Sequence, residues 1–157
     1  MVLQRLYLYK LKMMTGILHL HSFLRYVAVF LIIWTIVHAF MNMKKKEAAP
    51  SKWSMLSMLV VHTQFILGLV LWFQKFSAVS GTPEMKLPEN RYFIMEHSMM
   101  MLIAIALITL GHIKGKRAAD SATRYKTIFR FFLIGFIIMM AMIPWPFLSF
   151  APVRGWF

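Results

Sequence analysis

Apolar residues in this chain gather into four runs, each close to the length that crosses a bilayer. Short stretches rich in charge and turn residues separate them. The first run extends from about 16 to 40 and is stopped by Lys44, Lys45 and Lys46. The second extends from about 53 to 76. It gives way to the longest loop, 77–91, where Gly81, Pro83 and Pro88 break regular structure. The third covers about 92 to 113 and ends at Lys114, Lys116 and Arg117. The fourth covers about 128 to 150 and contains Pro144 and Pro146. Neither proline can donate a backbone hydrogen bond, so its last turn is expected to kink or unwind. The pattern predicts an all-α protein, a transmembrane four-helix bundle forming one integral-membrane domain over 1–157. Residues 1–13, with Arg5, Lys10 and Lys12, read as a lead-in. No small-residue cleavage site comes after them, so they are an interfacial segment or an extension ahead of a start near Met14.

Composition removes several classes of function. Hydrophobic residues make up 60% of the chain, with a mean hydropathy of +0.65, too apolar for a soluble domain of this size. Cysteine is absent, which excludes disulfides, thiolate-ligated iron–sulfur clusters and covalent c-type haem. Only five acidic residues occur, and no Ser–His–Asp pattern or phosphate loop, so hydrolytic chemistry has little to use. The net charge of +13 would suggest nucleic acid in a soluble protein. Here the cations sit at span ends and in short loops, which topology and anionic headgroups explain better. No nucleic-acid partner is expected. The loops after the first and third runs carry Lys44, Lys45, Lys46, Lys52, Lys114, Lys116, Arg117, Arg124 and Lys126. That bias predicts these loops in the cytoplasm and both termini on the periplasmic or exterior side.

Histidine inside an apolar run is costly and therefore a functional candidate. The third run has His97 near its start and His112 near its end, about 22 Å apart along a helix axis. Such spacing suits two stacked cofactor sites. His21 of the first run should match His97 in depth on a parallel-running helix. A haem b needs two neutral imidazoles facing one another from different helices, and His21 with His97 supplies them. The bland alternative is that each histidine only donates to a carbonyl across a helix interface. His38, His62 and His112 are candidates for a second, inner site, with the depth match best for His38 and His112. Arg25, one turn deeper than His21 on the same face, would balance Glu96 or a haem propionate. Gln64 would hydrogen-bond a ligand or a quinone, or only bridge helices. Methionines at 99–101, 139 and 140 are chiefly apolar filler, with soft Cu(I) ligation as the alternative.

Four segments carry a resemblance: Leu-His-Ser-Phe-Leu-Arg at 20–25, Val-His-Thr-Gln at 61–64 followed by Leu-Gly-Leu at 67–69, Met-Glu-His-Ser-Met-Met-Met-Leu-Ile-Ala at 95–104, and Ile-Pro-Trp-Pro-Phe at 143–147. Together they resemble a small four-span family of Bacteroidetes membrane proteins commonly labelled "cytochrome B". The resemblance covers most of the chain from about residue 14. It implies a b-haem electron carrier of the inner membrane, with His21, His62 and His97 as the matching histidines. His38 and His112 lie outside the matched pattern. The expectation is one or two b haems bound by residues from the set His21, His97, His62, His112 and Arg25, the four histidines being the iron ligands. The bundle is then an electron carrier or redox subunit, not a stand-alone enzyme, and its partners are the lipid bilayer, quinone and other membrane subunits. Two alternatives are a non-catalytic packing subunit of a larger membrane complex and a copper-handling membrane protein.

Overall fold

The computed structural model describes residues 2–45 and 52–145, with side chains from residue 12 onward. Those residues form four long helices and no strand: α1 (Val2–Asn42), α2 (Lys52–Val79), α3 (Pro88–Lys116) and α4 (Ser121–Met142). Each is long and apolar enough to cross a membrane, and the protein is a multi-pass membrane protein with an all-α four-helix fold. The backbone of the lead-in continues α1 without a break from Val2.

Each helix packs on the next, and α1 closes the ring against α4. Hence α1 and α3 face each other diagonally across the core, as do α2 and α4. Ala28 and Ile32 of α1, Val61 of α2, Ala104 and Ile108 of α3, and Phe132 of α4 meet there and are fully buried. Outward, the order inverts that of a water-soluble protein. Phe30, Phe40, Ile66, Phe73 and Ile137 each expose more than half of their surface. Apolar surface of this extent suits a bilayer, and the helices keep their backbone groups satisfied internally.

Glycine sets the α3–α4 spacing. A Cβ on Gly111 would meet Phe131 Cβ at 2.6 Å, and one on Gly135 would meet the Ala104 carbonyl oxygen at 3.1 Å. Small residues of this kind let membrane helices gain close dispersion contact where no hydrophobic drive exists. Between α1 and α2 the tie is polar: Thr35 and Ser57 share a buried hydrogen bond of 2.8 Å, and Ser57 Oγ donates to the Leu31 carbonyl at 3.0 Å. Such a pair is worth about 0.6 to 1.7 kcal/mol in a membrane.

The fourth helix differs from the expectation at both ends. It starts at Ser121, before the apolar run, because the Asp120 side chain accepts from the Thr123 N–H at 2.8 Å and caps it. It stops at Met142, since Ile143 precedes a proline and takes an extended conformation, φ −74° and ψ 127°. The remainder of the expected span, 146–150, lies outside the described residues.

Candidate functional site: the histidine pair beneath the α2–α3 loop

The bundle has two ends. One, the loop end, carries the α2–α3 loop. The other, the basic end, carries the basic connections after α1 and α3.

At the loop end, α3 contains a π-helical turn, Tyr92–Glu96, immediately before His97. A π turn inserts one extra residue per turn and re-aims the side chains beyond it, a device frequent at functional sites. Neighbours occupy the carbonyls it exposes. Trp72 Nε1 of α2 donates to the Ile94 carbonyl at 2.9 Å, and Ser98 Oγ donates to that of Phe93 at 2.7 Å.

His97 is held by the end of α4. Its Nδ1 lies 2.9 Å from the Met142 carbonyl oxygen, and Tyr92 Oη donates to the same oxygen at 2.7 Å. A carbonyl only accepts, so Nδ1 carries the proton and Nε2 of the neutral ring keeps its lone pair. The sequence explains why that carbonyl is free. In a continuing helix its donor would be the N–H of residue 146, and residue 146 is proline. Pro144 strips the Met140 carbonyl in the same way, and Trp145 Nε1 donates there at 3.2 Å. Both prolines thus leave acceptors that nearby side chains fill, one of them by orienting His97.

His21 sits across the bundle on α1. Its ring packs on the backbone of α2, where a Cβ on Gly68 would come within 3.2 Å of His21 Cε1. Gln64 Nε2 donates to the His21 carbonyl at 2.9 Å. His21 Nδ1 and Gln64 Oε1 are buried without a hydrogen-bond partner among the described residues. Buried orphans of this kind are rare and call for a group that completes the site. Arg25 Nη2 donates to Tyr26 Oη at 2.8 Å, and its guanidinium lies 4.7 Å from the Tyr26 ring and 5.6 Å from the Trp145 ring. The expected balance between Arg25 and Glu96 is not what forms. Glu96 is exposed and pairs with Arg91 at 3.0 Å, because the π turn carries its side chain to the surface.

The remaining histidines separate. His19 is exposed on the outside of α1. At the basic end, His38 packs against Tyr125 of α4 at a ring distance of 5.6 Å. His62 donates from Nδ1 to the Met58 carbonyl at 2.8 Å, and His112 Nδ1 meets Ser54 Oγ at 3.1 Å. His62 and His112 line one groove between α2 and α3, and His38 is not among its lining residues. The structure thus brings His62 beside His112 in this groove, while His38 lies against Tyr125.

No group of three or more histidine, cysteine, aspartate or glutamate side chains suited to a metal ion occurs among the described residues. An axial haem pair needs only two. Sequence reasoning missed the π turn, Tyr92 and the Met142 carbonyl. The proline spacing was the signal that pointed to that carbonyl. Comparison with protein-family models, with curated proteins and with solved structures finds no significant match for this chain.

Proposed function

We propose that this bundle is a b-type cytochrome of the bacterial inner membrane, holding one haem b at the loop end through His21 and His97. The observation that carries the reading is the locked tautomer of His97. Its Nδ1–H is spent on the Met142 carbonyl, which leaves Nε2 as a ready ligand. Haem-ligating histidines are usually oriented by such an outer hydrogen bond. His21 supports the pairing with a glycine in place of any side chain beside its ring. The resemblance of the segments around both histidines to "cytochrome B" proteins points the same way. The bound haem would supply a one-electron iron couple. The protein's part is to fix the two imidazoles, exclude water and balance propionate charge with Arg25. Quinone, dissolved in the same bilayer, is the electron partner this placement suits.

The basic connections face the cytoplasm in this reading, by the lysine and arginine bias. A cysteine placed at Ala48, in a chain with no cysteine of its own, should then resist an impermeant reagent added to intact cells. Labelling there would invert the orientation.

One observation favours a packing-subunit reading: the His97–Met142 bond also serves as an interhelical cap, useful without any cofactor. A reduced-minus-oxidised spectrum with haem quantitation on the purified protein separates the two. A cytochrome gives a reduced α band at one haem per chain, and a packing subunit gives no band. Metal analysis showing copper without iron would replace the proposal by copper handling.

A further inference from the structure

The basic end holds a groove of about 620 Å³ between α2 and α3 that the histidine pair at the loop end does not use. Fifteen positions of α3 separate His97 from His112, about 22 Å along the axis, so the two places do not share a ligand. Met58 and His62 form the α2 wall, and Thr109, His112 and Ile113 the α3 wall. Lys116 and Arg117 stand at the rim. None of these residues is buried, and Ile113, Lys116 and Arg117 are exposed. A slot for a flat cofactor between helices would be enclosed. This groove lies open on the flank that faces lipid.

Its polarity is graded. The two rim cations form no ion pair among the described residues. Thr109 lies seven positions before Lys116, about 10 Å deeper, and spends its hydroxyl on the Ile105 carbonyl at 2.7 Å. Between rim and floor run the apolar Met58 and Ile113. Charge at the membrane surface and apolar wall below it is the profile of an anionic phospholipid, whose phosphate is negative and whose glycerol and first methylenes are not. Basic pockets between spanning helices on the cytoplasmic side hold such headgroups.

We infer that the groove between α2 and α3 at the basic end binds one anionic phospholipid, its phosphate held by Lys116 and Arg117 and its glycerol region laid along Met58 and Ile113. Guanidinium and ammonium give the phosphate charge-assisted hydrogen bonds. His112, steadied by Ser54, forms the wall beneath. Free phosphate shares the rim chemistry but has no use for the apolar wall, and the wall decides for a bilayer lipid.

The test is retention of lipid by the purified full-length protein in mixed micelles, read by native mass spectrometry. Phosphatidylglycerol should remain bound at one per chain and phosphatidylcholine should not. Lys116→Gln with Arg117→Gln should lower phosphatidylglycerol retention roughly ten- to thirty-fold, the share two surface cations carry at a membrane. Lys75→Gln with Lys86→Gln at the opposite end should leave it unchanged. Ile113→Trp keeps both charges and fills the groove, and it should also block retention. Equal loss in the two lysine-bearing pairs would mean unspecific surface attraction and overturn the site. So would displacement of the lipid by millimolar inorganic phosphate, which would make the ligand a soluble anion. Loss of haem from Ile113→Trp would make the groove a cofactor site instead.

Discussion

The two ends of this bundle use the same residue type in opposite ways. At the loop end, His97 is tied to the Met142 carbonyl and His21 lies against Gly68 with a buried, unpartnered nitrogen. At the basic end, His62 and His112 line an open groove beside Lys116 and Arg117. His21 and His97 stand on helices that are diagonal in the ring, α1 and α3, and His62 and His112 line a groove between the adjacent helices α2 and α3. The difference teaches that depth and spacing alone do not make a ligand pair. What matters is which backbone acceptors the neighbouring helix leaves open, and whether bundle or lipid surrounds the ring.

The largest expected effect breaks the frame that both ends share. Gly111→Val would drive a side chain into Phe131 Cβ, which cannot swing away as a side-chain tip can. Overpacking of this kind costs about 1 to 3 kcal/mol or more. Thermal unfolding of the purified variant should fall sharply, and an unchanged melting temperature would show that α3 and α4 do not pack through glycine. Gly68→Leu sharpens the contrast, because the atom it meets belongs to His21. The fold should survive, with helicity by circular dichroism unchanged, and haem content should drop severalfold. A variant that keeps its full haem would place His21 elsewhere.

Smaller effects are expected from the positioning groups. Tyr92→Phe removes one of two donors to the Met142 carbonyl and should lower stability by about 1 kcal/mol, while His97 keeps its bond. The low-spin spectrum should persist with a shifted midpoint potential. Ser54→Ala, which releases His112 at the other end, should shift neither spectrum nor potential. A shift there would transfer the redox site to the basic end.

The smallest effect concerns pH. The Thr123 N–H holds the Asp120 carboxyl below its ordinary value of 3.8. Stability from this cap is therefore full above 3.8 and lost as pH falls through the lower folded value. Amide protection in the first turn of α4, taken relative to intrinsic exchange, should fall only in that acid window. In Asp120→Ala that protection should be low and independent of pH, with the loop end unaffected.

Much of the fold was legible because membrane spans are written in length and apolarity, and each of the four runs became a helix. Helix ends were less so. Asp120 starts α4 well before its apolar run, and residue 143 ends it by preceding a proline. His21 and His97 could be named as candidates because a titratable ring in an apolar run stands out. Their surroundings could not be, since the ring order of helices and the π turn at Tyr92–Glu96 depend on packing between distant segments. The same reason hid the exchange of Arg25 for Arg91 as the partner of Glu96.

The central claim is that His21 and His97 are the two axial ligands of one haem. Its most direct test compares the low-spin signal and haem content of wild type, His21→Ala, His97→Ala and the double variant, purified together with His62→Ala. Each single change should abolish the same low-spin signal by opening one axial position, the double should do no more than either, and His62→Ala should keep the signal. A full low-spin spectrum in either single variant, or its loss in His62→Ala, would contradict the account.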